Sequence, residues 1–356
     1  MLRQLLTILA TALFVGAVSA SAQAPGDAQR IVAVGDLHGD LPAWEAIATA
    51  AGLVDTQGEW AGGETVLVQL GDVTDRGPDS LAIIERLRAL QRQAPGAGGK
   101  VVLLIGNHEA MNVTGDLRYV HPGEYAAFAD RKSAARREAV WRANEQRIVD
   151  FYRSDDPDLP VSAIRKLWFE ANPPGLLEHR QAWRPDGELG RWAASLPAAV
   201  KIGDTLFVHG GLSIERALRP LDEINAAIHA ALGPGDETDR TAAQDLLGPL
   251  WYRGNVMRDA DVAADAARPS IADELAQVLA YHDAARLVVG HTPSVKGIVA
   301  SNDGKLIRAD TGISAHYGGP ASFLEITPDG VTAHERRADG TWAAHSLDQQ
   351  PDGDDP

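Results

Sequence analysis

An α/β fold that carries its functional groups at the carboxyl ends of its strands is predicted by two features of this sequence. Short apolar, β-branched runs alternate with helical stretches, the strand, loop, helix order that builds a layered sheet protein. Five polar clusters then follow five of those runs: Gly-Asp-Leu-His-Gly-Asp at 35–40, Gly-Asp-Val-Thr-Asp-Arg-Gly at 71–77, Gly-Asn-His-Glu at 106–109, His-Gly-Gly at 209–211 and Gly-His-Thr at 290–292. Separate strand ends thereby deliver Asp, Asn and His side chains toward one place.

In chain order, Met1–Ala24 joins Arg3, an apolar stretch from Leu5 to Val18 and small residues at 18–20 and 22–24. That is the order of a secretory signal, too short for a comfortable membrane span. Cleavage after Ala20, Ala22 or Ala24 fits equally, and a periplasmic or secreted location is expected. A single domain is expected over 25–346. Arg30–Val34, Thr65–Leu70, Lys100–Ile105, Thr205–Val208 and Ala285–Val289 read as buried strands, while Leu41–Ala51, Asp79–Gln93 and Ile271–Tyr281 read as helices. No strand signal stands between Glu109 and His209. There Pro122–Tyr152 and Val161–Ala171 look helical and Asp155–Pro160 and Asn172–Gly175 break, giving a helical insertion at about 120–195. Trp141, Trp168, Trp183 and Trp192 are read as the core of this insertion, which also suits a cap over the site. Beyond His291, Gly297–Ala300, Lys305–Arg308, Ala321–Ile326 and Val331–Arg336 alternate around Asn302-Asp303-Gly304 and Pro328-Asp329-Gly330, the pattern of hairpins completing a sheet edge. Residues 347–356 read as an acidic, disordered tail.

Composition narrows the function. A hydrophobic content of 45% supports a sizeable core. Cysteine is absent, which excludes disulfides and the Cys-dependent tyrosine-phosphatase mechanism. The formal net charge of −16 disfavours nucleic acid, so no such partner is expected, nor is stable membrane insertion after signal cleavage.

The five clusters carry the chemistry. Asp36 and His38 alternate, so from an extended strand end they project similarly and can grip one cation. Asp72 has two carboxylate oxygens with which to bridge two cations. Asn107, His209 and His291 supply an amide oxygen and two imidazoles for the second. Mixed N and O ligation without sulfur suits Mn, Fe, Zn or Co better than Ca or Mg. Five such motifs at strand ends leave little room for a purely structural reading and point to a two-metal phosphoesterase. The remaining histidines, His121, His179, His229, His282, His316, His334 and His345, read as surface or ordinary hydrogen-bonded residues. Arg118 and Tyr119 fit substrate contact and structural packing equally.

The clusters resemble those of the calcineurin-like metallophosphoesterase superfamily, and the Gly-Asp-x-x-Asp-Arg-Gly and Gly-Asn-His-Glu forms resemble its phosphoprotein phosphatase branch. The segments 111–120 and 249–254, the latter Pro-Leu-Trp-Tyr-Arg-Gly, resemble the Shewanella-like protein phosphatases. That resemblance implies a β-sandwich flanked by helices. It implies that Asp36, His38 and Asp72 hold the first metal and that Asp72, Asn107, His209 and His291 hold the second. It further implies His108 as general acid, Asp75 as its orienting carboxylate, and Arg76 and Arg253, with Asn107, as the phosphate-binding residues. Two permanently charged, planar guanidinium forks suit phosphate oxygens. The implied activity is a binuclear-metal phosphomonoesterase, a protein phosphatase for Tyr and/or Ser/Thr, in which a metal-bridging hydroxide attacks phosphorus in line. Its partner would be a phosphorylated protein, a peptide or a small phosphomonoester. The Trp-Tyr-Arg-Gly form and the long insertion depart from the better-known Ser/Thr enzymes and leave substrate preference open. A dinucleoside polyphosphate hydrolase and a non-catalytic periplasmic metal- or phosphate-binding protein are the alternatives.

Overall fold

Strand β1 (Ile31–Val34) is buried at all four positions because its alternate side chains enter two different cores. Ile31 and Ala33 face a second sheet, while Val32 and Val34 face helices. The continuous apolar runs of the sequence are the signature of strands covered on both faces. The computed structural model describes residues 30–235, 240–258 and 268–348. The expected signal at 1–24 lies outside the described residues, as do 349–356 of the expected tail.

The first sheet has the order β11 (Trp342–Ser346), β10 (Gly330–Arg336), β9 (Ser322–Thr327), β1, β2 (Val66–Gln69), β3 (Lys100–Leu103). β1, β2 and β3 are parallel, and β9 joins β1 antiparallel. The second sheet runs β4 (Ala199–Ile202), β5 (Thr205–Val208), β6 (Arg286–Val289), β8 (Leu306–Arg308), β7 (Val299–Ser301). Its β5, β6 and β8 are parallel, with antiparallel strands at both edges. Ala33, Val68 and Leu324 of one sheet meet Phe207, Val288 and Ile307 of the other in the central core. The outer face of the first sheet is covered by α1 (Leu41–Ala50) and α2 (Ser80–Gln93) through Trp44, Ile47, Ile83 and Leu87. That of the second is covered through Leu275, Val278 and Leu279, which lie on the last helix, Ile271–Tyr281. The result is the expected α/β sandwich flanked by helices.

Between β3 and β4 run α3 (Asn107–Thr114), α4 (Pro122–Phe128), α5 (Ser133–Arg153), α6 (Val161–Ala171), α7 (Leu176–Trp183) and α8 (Glu188–Ala194). The stretch expected to be helical over Pro122–Tyr152 is thus two helices. The chain breaks where the Ser133 hydroxyl accepts the Asp130 N–H at 2.9 Å and the Asp130 carboxylate accepts the Lys132 N–H at 2.6 Å, local bonds that compete with the helix. The four tryptophans also divide. Trp141 and Trp168 form a small core with Val149 and Ile164, whereas Trp183 joins the main core and Trp192 packs against it. β4 is a strand where none was expected: a four-residue edge element, half-exposed along most of its length, carries little apolar signal. Its turn into β5 needs Gly203, at φ 59°. Among the described residues the remaining helices are α9 (Ile214–Ala217), α10 (Leu221–Leu232), α11 (Thr241–Gln244) and α12 (Ile271–Tyr281).

The folded unit continues past the expected start of the tail. Leu347 is buried and donates its N–H to the Val331 carbonyl at 2.8 Å, and the Asp348 carboxylate accepts the Val331 N–H at 3.0 Å. Among the described residues, no helix is long and apolar enough to cross a membrane.

Candidate active site

Both sheets contribute to one site. Asp36 and His38 follow β1, Asp72 follows β2 and Asn107 opens α3 after β3; His209 and His291 follow β5 and β6. All six are buried. Asp36, His38, Asp72, Asn107 and His291 line a cavity of about 240 Å³ together with Arg76, His108 and Arg253. His209 stands against it, its Nε2 3.3 Å from Asp72 Oδ2.

Asp72 is the centre of the arrangement. Its Oδ1 accepts the backbone N–H of His108 at 2.9 Å, and its Oδ2 lies 3.8 Å from His38 Nε2 and 3.9 Å from His108 Nε2. Two groups of ligand-type atoms result, His38 with Asp72 and His108, and Asp72 with His209 and His291; Asp72 belongs to both. Asp36 Oδ2 lies 3.9 Å from His38 Nε2, and both Asp36 oxygens accept the His291 N–H at 3.1 Å.

The backbone sets the tautomers that metal binding needs. His38 Nδ1 sits 2.9 Å from the Thr74 carbonyl and His209 Nδ1 2.9 Å from the Leu70 carbonyl. A carbonyl can only accept, so each Nδ1 carries the proton and each Nε2 turns a lone pair inward. His209 Nε2 then faces Asn107 Oδ1 at 2.9 Å, two electron-rich atoms that a cation would satisfy together. His291 Nε2 is buried and has no hydrogen-bond partner. These orphaned lone pairs, on nitrogen and oxygen without sulfur, fit resident divalent metal.

Charge tells the same story. Burial, then Asp310 and Asp72, pushes the Asp36 carboxyl well above the usual carboxylate range, and burial raises Asp310 to about 6. Burial opposes ionisation of Asp72 as well, but His209, His108 and His38 hold it well below its ordinary value. Burial drives His38 down to about 3. Buried carboxylates crowding one another are relieved by a bound cation.

His108 is set apart from the other imidazoles. Its Nδ1 lies 2.7 Å from Asp75 Oδ2, while Asp75 Oδ1 accepts from the Asn112 amide at 2.9 Å. Burial works against a charged ring, yet Asp72 and Asp75 lift His108 above the ordinary histidine value. The two arginines have no carboxylate partner among the described residues. Arg253 Nη1 donates to Thr292 Oγ1 at 3.3 Å, and the Arg76 guanidinium lies 3.8 Å from the Tyr119 ring centroid.

Strain concentrates here. His38, Asp72, Asp75, Arg76 and His291 have φ of 45°, 53°, 70°, 66° and 62°, a region that non-glycine residues occupy only when their surroundings enforce it. Glu109 supplies much of that enforcement. Its carboxylate accepts the N–H groups of Gly106, Asp72, Val73 and Thr74 and the Thr74 hydroxyl, at 2.9 to 3.2 Å. At Gly106 a Cβ would come within 2.1 Å of Asp72 Oδ1, so the close approach requires glycine.

Every site residue expected from the sequence therefore reaches one place. Four participants carried no expected role: Glu109, Asn112, Asp310 and Tyr317. Asp310 had a signal, since it stands two residues past β8 as the other acids stand past their strands. Its Arg-Ala-Asp context lacks the preceding glycine of the others. None of residues 122–198 lines the cavity. His179 is buried among Tyr125, Phe128 and Trp183, away from the ligand cluster.

The sequence profile of the calcineurin-like phosphoesterase family matches residues 29–295. Shewanella-like protein phosphatase 2 of Arabidopsis thaliana is 33% identical over 309 residues, spanning 85% of this chain and 76% of that protein. Shewanella-like protein phosphatase 1 of Plasmodium berghei is 28% identical, spanning 85% of this chain and 73% of that protein. The crystal structure of a cold-active protein-tyrosine phosphatase from a psychrophilic Shewanella superposes with a TM-score of 0.61 at 27% identity, covering 89% of this chain and 80% of that one. The chain belongs to the calcineurin-like phosphoesterase family. Within that family its relatives include Shewanella-like protein phosphatases, and it is a phosphoric monoester hydrolase.

Proposed function

We propose that this enzyme is a two-metal protein phosphatase that removes phosphate from tyrosine, serine or threonine side chains by direct attack on phosphorus. Asp36, His38 and Asp72 would hold one cation, and Asp72, Asn107, His209 and His291 the other; Mn, Fe or Zn suits this donor set. When bound, such a pair supplies Lewis acidity and brings the pKa of water toward neutrality. The chain does the rest. Arg76 and Arg253, with the Asn107 amide, grip the phosphoryl oxygens and align the ester bond. His108, its Nδ1 fixed on Asp75, presents Nε2 to the cavity and protonates the departing oxygen. Without cysteine, and with water as nucleophile, no phosphoenzyme is required.

The observation that carries this reading is the proton-bearing His108–Asp75 pair in the same cavity as the convergent ligand atoms. A protein that only bound metal or phosphate would have no use for it. Support for a phosphoprotein substrate comes from the relatives' names as protein phosphatases and from the aromatic walls, Tyr119, Trp251 and Tyr317. The test is the enzyme loaded in turn with Mn, Fe or Zn and assayed on phosphotyrosine and phosphoserine peptides, an aryl phosphate and diadenosine tetraphosphate. Peptide and aryl ester turnover with two metals per chain is expected. Preference for the dinucleotide would overturn the substrate class, and a metal-loaded, phosphate-binding but inactive protein would overturn catalysis.

A further inference from the structure

Arg76 is held in an unusual way. Its backbone is left-handed at φ 66°, directly after Asp75 at φ 70°, and its N–H is pinned by the Tyr119 carbonyl at 3.0 Å. Its guanidinium carbon lies 3.8 Å from the Tyr119 ring centroid and 5.9 Å from that of Tyr317. Its Nε is buried and without a partner, and no carboxylate pairs with the side chain among the described residues. A buried or half-buried arginine is ordinarily fixed by a carboxylate, whose oxygens occupy the same N–H edge that would grip a phosphate. An aromatic face fixes the guanidinium plane through its π cloud and leaves that edge free.

We infer that Tyr119 is the positioning residue of Arg76. It clamps the arginine from below by ring face and from behind by backbone carbonyl, and so keeps the charged fork aimed into the cavity and unoccupied until a phosphate arrives. This inference rests on the phosphate-binding role given to Arg76 above. The sequence leaves Tyr119 open between substrate contact and packing; beside its place in the cavity wall, it has a specific packing partner, the anion-binding group.

The test is competitive inhibition of the metal-loaded enzyme by inorganic phosphate, measured against an aryl phosphate. Tyr119→Leu removes the ring face and is expected to weaken phosphate inhibition about tenfold, the size of a partly desolvated cation–π contact. Tyr119→Phe keeps the face and is expected to retain phosphate affinity, with metal content equal to wild type in both. In an Arg76→Ala background Tyr119→Leu should add nothing, because the two act as one unit. Wild-type inhibition of the Leu variant, a Phe variant as impaired as Leu, or additive losses in the double variant would each overturn the inference while leaving the role of Arg76 intact. An Arg76→Ala enzyme that phosphate inhibits normally would instead remove the phosphate role of Arg76, and this inference with it. Should Tyr119→Leu lower the melting temperature, Tyr119→Met serves as the second ring-less variant.

Discussion

His108 differs from the other active-site histidines in one respect, a carboxylate on its Nδ1 where His38 and His209 have backbone carbonyls. In the proposed mechanism that difference separates a proton donor from a ligand. His108→Asn should therefore slow esters in proportion to the basicity of the leaving oxygen, up to about 10²–10⁴-fold for phosphoserine and far less for nitrophenyl phosphate. Rates across a leaving-group series at saturating metal check it; a parallel drop would mean that His108 positions phosphate or metal instead. Glu109 is the opposite kind of residue, one that touches no substrate yet accepts five donors. Glu109→Gln must turn an amide N–H toward some of them, so a loss of about 1–3 kcal/mol in urea unfolding is expected, and an unchanged midpoint would show the turn to be held by other means. The ligand-type residues were legible because Gly-Asp, Gly-Asn-His and His-Gly words mark strand ends. Asp310, without a preceding glycine, carried a weaker mark, and Tyr317 none, because it reaches the site only through the path of the chain after β8.

At the level of elements, what was legible was set by burial on both faces. β1, β2, β3, β5 and β6 are buried at all or all but one of their positions and stand out as mostly apolar runs, whereas β4 and β11 are edge strands whose partly exposed positions dilute the pattern. The helices α7 and α8 fall inside the expected helical insertion but were not delimited, for another reason: each is short, and their buried faces are completed by the main core rather than by their own periodicity. Two titratable groups are buried around α4: Glu124, which accepts the Ser80 N–H of α2 at 3.1 Å, and His179 of α7, which packs against Tyr125 and Phe128. Burial, with Asp75 and Asp79 nearby, raises Glu124 from 4.5 to about 8, and burial, with Arg180, lowers His179 from 6.5 to about 3. A carboxyl with a raised folded pKa contributes stability that is complete below 4.5 and is lost as pH rises through 8. A histidine with a lowered one contributes stability that is complete above 6.5 and is lost as pH falls toward 3. Together they give a plateau from about pH 4.5 to 6.5 with a fall on either side, each at most about 1.4 kcal/mol per pH unit. Urea midpoints across pH should show Glu124→Gln losing the alkaline fall and His179→Phe the acid fall, relative to wild type. Either variant keeping its own limb would place the titration elsewhere.

For the molecule as a whole, the site is also a seam. Asp36, Asp72 and Asn107 come from the first sheet and His209 and His291 from the second, so cations held among them would tie the two sheets at the carboxyl edge, beyond the central core. That core, built from Ala33, Val68, Phe207 and Val288 among others, does not depend on metal, so a stripped enzyme should remain folded. What stripping exposes is the repulsion of Asp36, Asp72 and Asp310, together with ring nitrogens left without partners. A ligand that binds only the folded state at about a thousand times its dissociation constant stabilises by about 4 kcal/mol. In a chain of this size that corresponds to roughly 5 °C in melting temperature. Chelation should thus lower the melting temperature reversibly, with recovery on adding back metal. Asp72→Asn, which takes the shared charge from both groups of ligands, should melt near the stripped value and respond little to chelator. Equal melting temperatures for stripped and loaded wild type, with occupancy verified by elemental analysis, would show that the two sheets are joined by their apolar faces alone.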